Sequence, residues 1–277
     1  MEEFIKLGNL PQSLLDAIGK ERTAFTVAFL RIKDSPQCVD AQLLGSGTLV
    51  TAGQTQAILT AHHVVRELPR NGRLGILLEK ASQPHSMDTS GLAFLEIARG
   101  EKDCTGPDLG AVILAPSIAS AIGAKKLFYN LDSHRNLALK NPPGIHDGVW
   151  FVQGFLDERT VVTPDTDRQG KTTAFYNFTG FGGLEPAVQI GDFDYFDFLD
   201  SKQARQVAPL SWGGVSGGGL WQVHLKREGG ELVHKSALLC GVAFYQQPAS
   251  DGSCVVRCHG PRSVYEAAFN AILNREP

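Results

Sequence analysis

The chain has 277 residues, of which 43% are hydrophobic and 20% charged, and its formal net charge is −3. This balance offers no basic surface for a nucleic acid, and no apolar run reaches the roughly 18 residues that a membrane span needs. Thirty glycines and no enrichment in helix formers favour many short strands joined by turns, in one large all-β domain or two half-sized lobes.

The N-terminus and the cysteines together predict a cytoplasmic protein. Residues 1–20 lack a basic region followed by an apolar core, so no secretory signal is predicted. The five cysteines are odd in number and scattered, which fits reduced thiols. The spacing of Cys254, Cys258 and His259 is poor for zinc and no second ligand pair is evident, so neither a metal nor a cofactor is predicted.

The first half of the chain is predicted to form a short helix followed by six strands. The helix covers residues 11–20, with Leu14, Leu15 and Ile18 on one side and Pro11 at its start. Period-2 and apolar runs predict strands at 25–32, 43–53, 55–65, 73–80, 92–100 and 108–116.

The second half repeats this strand-rich pattern after a connector at 117–147. A hairpin is predicted over 220–245, with Gly229 and Gly230 at its tip, and residues 164–171 are interpreted as a surface insertion. The remaining strands are predicted at 149–156, 171–180, 193–200 and 253–260. The chain closes as a helix whose apolar side carries Val264, Ala267, Phe269 and Ile272.

Three stretches carry residues that could hydrolyse an acyl bond. A serine hydrolase needs an exposed hydroxyl, an imidazole base, a carboxylate that orients it and amides that stabilise an oxyanion. The first stretch, ILTAHHVV (58–65), offers His62 and His63. Because neighbouring side chains do not point the same way, at most one is expected to face a cleft; the alternative is a strand end with two surface imidazoles.

The second stretch, GPDLGAVIL (106–114), offers Asp108 at the mouth of an apolar strand. Directly after Gly-Pro, this residue could be an ordinary turn or cap aspartate. The functional alternative is a partly buried carboxylate that accepts the Nδ1 proton of a histidine.

The third stretch, SWGGVSGGGLW (211–221), contains five glycines in eleven residues and places Ser216 at its centre. A glycine two positions earlier, Gly214, would let the backbone curl until the amides of Gly214 and Ser216 point to one spot. The later glycines would allow close approach of a neighbouring chain and leave room for a substrate. The alternative is a mobile linker, against which stand the flanking Trp212 and Trp221 and the strong hairpin that follows.

Taken together, these stretches resemble the trypsin-like serine peptidase family from about residue 25 to the C-terminus. The order His, Asp, Ser across two β lobes matches, and the histidine motif aligns with His63, not His62. The resembling segments are GSGTLV (45–50), ILTAHHVV, DLGAVIL, GGVSGGGLW and CGVAFY (240–245). The resemblance implies a triad of His63, Asp108 and Ser216, with an oxyanion hole made by the amides of Gly214 and Ser216.

The resemblance also implies the fold: an all-β double barrel in a single peptidase domain. Two six-stranded antiparallel barrels are expected at about 22–120 and 148–260, joined by a connector at 121–147. A short N-terminal helix would precede them, and a C-terminal helix at 261–277 would follow.

Two residues beside the nucleophile depart from the family pattern. Val215 stands where secreted members carry the aspartate that binds a new N-terminus after zymogen cleavage, and Gly219 stands where proline is usual. The sequence therefore predicts activity without that cleavage. It looks closer to intracellular bacterial and HtrA-like proteases, here without their PDZ domain.

The function predicted from the sequence is that of a cytoplasmic serine endopeptidase acting on protein or peptide substrates. A regulatory partner protein could switch it on, and neither nucleic acid nor membrane is an expected partner. Two alternatives remain open: a non-catalytic trypsin-like binding module, and an esterase that uses the same triad.

The sequence says less about substrate preference than about the catalytic residues. By resemblance, Leu210 and Ser211 lie near the floor of the primary pocket and Ala243 and Phe244 along its wall, with nothing clearly acidic among them. The acidic stretch GDFDYFDFLD (191–200) is either a solvated strand face or an approach to the cleft that would attract a basic side chain.

Overall fold

Strands make up most of the regular structure, as the glycine-rich composition predicts. In the computed structural model, the described residues are 7–34, 39–78, 84–100, 106–142, 144–165, 170–185, 188–200, 209, 211–248 and 254–275.

The first sheet has eight strands and contains the predicted N-terminal lobe. Its strands are β1 (Thr26–Asp34), β2 (Val39–Ala52), β3 (Thr55–Thr60), β4 (Arg73–Leu77), β5 (His85–Asp88), β6 (Leu92–Arg99), β7 (Asp108–Leu114) and β8 (Tyr129–Asn130). The order is β5-β4-β1-β2-β3-β7-β6, antiparallel throughout, while β8 pairs in parallel with β2. Every residue of β7 is buried, as its unbroken apolar run predicts.

The second sheet has seven strands and closes on itself. The second half of the chain contains β9 (Val149–Phe155), β10 (Val161–Asp165), β11 (Gly170–Ala174), β12 (Asn177–Leu184), β13 (Val188–Ile190), β14 (Phe193–Asp200), β15 (Gly219–Glu228), β16 (Glu231–Pro248) and β17 (Cys254–His259). The order β12-β9-β15-β16-β17-β14 becomes a ring because β12 also pairs with β14, and β13 lies outside it. Strands β10 and β11 form a separate two-stranded ribbon.

The predicted all-β double-barrel architecture is confirmed. Both sheets exceed the expected six strands because short segments extend them: β5 and β8 in the first sheet and β13 in the second. The predicted hairpin is also confirmed, and its turn residues Gly229 and Gly230 have φ angles of +59° and +90°. Positive φ at both central positions is the geometry that favours glycine in a tight hairpin turn.

Helices flank the sheets at both ends of the chain and in the middle. They are α1 (Gln12–Arg22), α2 (His62–Glu67), α3 (Pro116–Gly123), α4 (Leu131–Lys140) and α5 (Phe269–Leu273), the last preceded by a π-helical stretch, Ser263–Ala268. The predicted terminal helices are therefore present. The connector is folded rather than extended, because α3, β8 and α4 lie within it. None of the helices among the described residues is long and apolar enough to cross a bilayer.

Two sequence predictions need correction. The strand predicted over 55–65 ends at Thr60, and α2 begins at His62. Adjacent strand residues face opposite sides of a sheet, whereas consecutive helix residues lie only about 100° apart. Val64 and Val65 can therefore both face the protein interior, and both are fully buried.

The strand predicted over 171–180 is two strands, β11 and β12, separated near the buried Phe175. The insertion predicted at 164–171 coincides with the tip of the β10–β11 ribbon, whose residues 166–169 lie outside the described residues.

The two sheets share one apolar core. Side chains from the first sheet, including Leu59 and Leu109, pack with Phe151, Leu220 and Trp221 from the second. Burying each large apolar side chain contributes about 1.5–3 kcal/mol, so this shared core holds the facing edges of the two sheets together. The residues at that junction are consequently held in fixed relative positions.

Candidate active site

His63 and Asp108 meet where α2 begins beside the first residue of β7. Oδ2 of Asp108 accepts a hydrogen bond from His63 Nδ1 at 2.6 Å, and Oδ1 accepts from the His63 backbone amide at 2.9 Å. The His63 side chain is 44% exposed, while that of Asp108 is 8% exposed. Because Nδ1 is the donor to the carboxylate, Nε2 is the ring nitrogen able to take up a proton.

The surroundings of Asp108 favour its charged form. Burial alone raises the pKa of the carboxyl, but the hydrogen bonds and charge of His63 outweigh it, and the pKa lies below its ordinary value. A charged carboxylate is what would orient and stabilise a protonated imidazole at this position.

The neighbouring His62 faces another direction. It is buried, and its Nε2 lies 3.2 Å from Oε2 of Glu96, whose other oxygen accepts from Arg70 at 2.8 Å. His62 thus ties the start of α2 to β6, and only His63 of the pair contacts Asp108. The alternative of two surface imidazoles is contradicted, because His62 is buried.

A residue of the second sheet also holds Asp108. The backbone amide of Asp108 donates to Nε2 of His259 at 3.0 Å, and the fully buried His259 ring packs against Phe244 and Tyr195. Burial lowers the pKa of His259 to about 4, so the ring is neutral and Nε2 can accept. Sequence reasoning considered this histidine only as a metal ligand, because its partner lies 151 positions earlier in the chain.

The two cysteines near His259 have other partners. Cys258 is fully buried, which raises the pKa of its thiol well above the ordinary value, and Cys254 Sγ accepts from Gln246 at 2.7 Å. Cys258 and His259 are consecutive strand residues and point to opposite faces. Among the described residues, no three His, Cys, Asp or Glu side chains are grouped so that they could hold a metal ion.

The glycine-rich stretch folds as a tightly packed loop between the two sheets. An added Cβ at Gly217 would lie 2.0 Å from Thr60 Oγ1 and 2.1 Å from the Ser46 carbonyl oxygen, and at Gly218 it would lie 2.3 Å from the Gln153 carbonyl oxygen. Gly217 also has a φ of +89°. The neighbouring chain therefore does approach closely, and the mobile-linker alternative is contradicted.

Two backbone amides of this loop, those of Gly214 and Ser216, donate to no acceptor within the described part of the chain. The other amides of the loop each donate to an acceptor. Trp212 donates to Gln246 Oε1 and Gly213 to Ser211 Oγ. Val215 donates to the Trp212 carbonyl, Gly217 to the Ala243 carbonyl and Gly218 to the Val215 carbonyl. The sequence predicts that these same two amides form an oxyanion hole.

The peptide before Gly214 is held in one orientation. Its carbonyl oxygen, that of Gly213, accepts from the Asp157 amide at 2.9 Å. In a trans peptide the N–H points away from the C=O, so the Gly214 amide is directed away from Asp157. Gly214 adopts a φ of +87°, which a side chain would disfavour.

The Ser216 hydroxyl is not bonded to His63. It lies 3.5 Å from the carbonyl oxygen of Phe244, which is its one hydrogen bond among the described residues. A contact of this length is weak, so rotation of the side chain away from it costs little. The structure thus pairs His63 with Asp108, whereas the Ser216 hydroxyl contacts the Phe244 carbonyl.

No protein-family model matches this chain, and neither does any curated protein sequence. Solved structures do match. One comes from a study of aromatic interactions in the coupled folding and binding of the Sesbania mosaic virus VPg protein, with 13% identity, a TM-score of 0.45 and coverage of 88% of this chain and 90% of the other.

Two plant-virus proteases are also similar in structure. The tobacco vein mottling virus protease shows 12% identity and a TM-score of 0.41, covering 86% of this chain and 78% of the other. A mutant of the tobacco etch virus protease shows 11% identity and a TM-score of 0.39, covering 91% and 79%.

The four residues predicted to form the substrate pocket differ in what they can contact. Leu210 lies outside the described residues. Ser211 is exposed, and its amide donates to Glu158 Oε2 at 3.1 Å. Ala243 and Phe244 are buried; the backbone of Ala243 pairs with the nucleophile loop, and the Phe244 ring packs on Tyr195 and His259. The Phe244 side chain is therefore part of the core, and the role of these residues in a substrate pocket stays a prediction.

The acidic strand β14 uses two of its carboxylates within the protein. Asp194 accepts from the backbone amides of Arg262 and Ser263 at 3.0 and 2.8 Å. Asp197 pairs with Arg257 at 2.9 Å. Neither aspartate is a freely solvated side chain or a charge available to a substrate, so these two fit neither alternative considered for the stretch.

Replacing His259 by glutamine should remove part of the acid sensitivity of the fold. The folded pKa of about 4 lies below the ordinary 6.5, so between these values the unfolded chain binds more protons. This stability is fully present above pH 6.5 and is lost as the pH falls towards 4. At pH 5 the loss from His259 amounts to about 2 kcal/mol.

Urea denaturation of the wild type and His259→Gln at pH 7.5 and pH 5 measures this difference. The glutamine carbonyl can accept from the Asp108 amide but does not titrate. The wild type should lose about 2 kcal/mol more than the variant between the two pH values. Equal losses in the two proteins would contradict a neutral, buried His259.

Proposed function

We propose that this protein is a serine endopeptidase of chymotrypsin-like fold, with Ser216 as nucleophile, His63 as general base and Asp108 as the carboxylate that orients it. The observation that carries the proposal is the pair of amides at Gly214 and Ser216, which have no acceptor among the described residues and lie beside the nucleophile. Because both N–H groups are available as donors next to one serine hydroxyl, they support an oxyanion hole.

The reaction follows from these positions. Ser216 Oγ attacks the substrate carbonyl while His63 Nε2 takes its proton, and the amides of Gly214 and Ser216 stabilise the negative oxygen that forms. Each such donor contributes about 3–4 kcal/mol to the barrier reduction. The protonated His63, stabilised by Asp108, then protonates the leaving amine, and water releases the acyl group by the same steps.

Formation of the reactive pair requires a rotation of Ser216. Its hydroxyl leaves the 3.5 Å contact with the Phe244 carbonyl and turns towards His63 Nε2. Catalytic hydrogen bonds are often long or unformed without substrate and tighten when it binds. The weakness of the present contact makes this rotation easy.

Val215 supports activity in the uncleaved chain. Its side chain is 1% exposed and belongs to the shared apolar core, so the position does not need a new N-terminus as a charge partner. Control by a regulatory partner protein and a cytoplasmic location remain predictions from the sequence.

The non-catalytic alternative is favoured by one observation, the missing hydrogen bond between Ser216 and His63. A binding module could retain the fold and the loop without ever forming the reactive pair. Covalent chemistry at Ser216 separates the two, because only an activated hydroxyl reacts with an electrophilic phosphonate.

A fluorophosphonate probe with mass-spectrometric mapping tests the proposal. The folded wild type should be labelled at Ser216, with loss of fluoride, and heat-denatured protein should not. His63→Gln should lose labelling and His62→Gln should keep it, because His62 contacts Glu96 rather than Asp108. An unlabelled, correctly folded wild type would favour the binding module, and cleavage of a protein at a defined bond would favour the peptidase over an esterase.

A further inference from the structure

Ser46, a residue of β2, contacts the nucleophile loop from the opposite sheet. It is fully buried, and its hydroxyl makes two hydrogen bonds. It donates to the Gly214 carbonyl oxygen at 2.7 Å and accepts from the Phe155 amide at 2.8 Å. One hydroxyl thereby joins the first sheet, the nucleophile loop and the end of β9.

The backbone of Ser46 fixes the other side of the nucleophile. Its amide donates to the Ser216 carbonyl oxygen at 2.8 Å, and its own carbonyl oxygen accepts from Thr60 Oγ1 at 2.7 Å. Ser46 therefore holds the carbonyls of both Gly214 and Ser216, the two loop residues whose amides have no acceptor in the described part of the chain.

These contacts hold the backbone between the amides of Gly214 and Ser216. The peptide before Gly214, which carries the Gly214 N–H, is held by the Asp157 amide, and the peptide after it, which carries the Val215 N–H, is held by the Ser46 hydroxyl. With both neighbouring peptides fixed, Gly214 keeps its φ of +87°. A flip of the first peptide would turn the Gly214 donor away from the site, and a flip of the second would break the Ser46 hydrogen bond and shift the backbone that leads to the Ser216 amide.

We propose that Ser46 is a positioning residue, whose hydroxyl holds the Gly214 peptide so that the oxyanion hole is formed in the uncleaved chain. The inference rests on the proposed function and explains how the loop is kept active beside Val215, which has no charge. The Ser46 side chain is closely packed, since an added Cβ on Gly154 would lie 2.8 Å from Ser46 Oγ. Ser46 touches neither substrate nor reacting atoms and acts through Gly214.

The test compares Ser46→Ala with Thr26→Val. Both remove a buried hydroxyl from the first sheet, but that of Thr26 donates to the Arg22 carbonyl at 3.2 Å, away from the nucleophile loop. We expect Ser46→Ala to lower kcat by about 10- to 100-fold with KM within about twofold, because a misplaced oxyanion donor weakens only transition-state binding. Thr26→Val should keep the wild-type kcat below its melting temperature.

Hydrogen exchange of the loop amides provides a readout that does not depend on activity. The amides of Val215 and Gly217 are bonded within the loop region and should exchange about tenfold faster in Ser46→Ala but not in Thr26→Val. Suppose that the wild type is labelled and active. Unchanged exchange in Ser46→Ala, or a kcat of Ser46→Ala within twofold of the wild type, then overturns the role of Ser46 but does not affect the proposed function. A wild type that is neither labelled nor active overturns the proposed function, and exchange alone then decides whether Ser46 holds the loop.

Discussion

Replacing Ser216 by alanine should lower kcat by about 10⁶-fold while the fold and KM stay nearly unchanged. The variant removes the one group that can form the acyl intermediate, so what remains is the contribution of binding and of the oxyanion amides. The fold should tolerate the change, because the hydroxyl makes only the 3.5 Å contact with the Phe244 carbonyl among the described residues. Steady-state hydrolysis of a peptide that the wild type cleaves measures the effect on kcat, and calorimetric melting measures the effect on the fold.

The matched control is Ser236→Ala, which removes an exposed serine hydroxyl from β16 in the second sheet. It should match the wild type in both activity and melting temperature. If Ser216→Ala kept more than about a hundredth of the wild-type kcat, a different residue or a bound contaminant would be responsible for the hydrolysis, and the nucleophile assignment would be wrong.

Local sequence patterns were sufficient for most of the longer strands and for the loop. The alternating and apolar runs place most strands within a few residues of their observed ends, and Gly229-Gly230 marks the hairpin turn because that turn requires positive φ. The glycines around Ser216 were interpretable for the same reason, since φ values and close packing at Gly214 and Gly217 exclude side chains.

Long-range contacts were not predictable in this way. The bond from Ser46 to Gly214 joins residues 168 positions apart, and that from His259 to Asp108 joins residues 151 apart. Each is made by a common residue type in an ordinary strand, so neither carries a local signal. The start of α2 was missed for a related reason, because an apolar run such as ILTAHHVV looks the same as strand or helix until its neighbours are known.

The side chain and the backbone of Asp108 have different partners. In α2, His63 donates to both carboxylate oxygens, whereas His259 in the second sheet accepts from the Asp108 backbone amide. A substitution that alters only the carboxylate should therefore leave the backbone in place and report on the chemistry of the pair.

Replacing Asp108 by asparagine should lower kcat by about 10⁴-fold at neutral pH. Both carboxylate oxygens accept a hydrogen bond from His63, one from the backbone amide at 2.9 Å and one from Nδ1 at 2.6 Å. Asparagine has a single acceptor oxygen, and when this serves the backbone amide its NH₂ group faces Nδ1. Only an Nδ1 without hydrogen can accept that donor, so the ring proton moves to Nε2, which can then no longer act as the base.

The control for this variant is Asp197→Asn, which removes a partly buried carboxylate in the second sheet. Its partner there is Arg257 at 2.9 Å, so the substitution should cost about 1 kcal/mol of stability or less and leave kcat unchanged. Steady-state hydrolysis and the rate of fluorophosphonate labelling should fall together in Asp108→Asn, because both require deprotonation of Ser216 by His63. An Asp108→Asn protein with more than a tenth of the wild-type kcat would show that the carboxylate is structural, since a misoriented base could not sustain that rate.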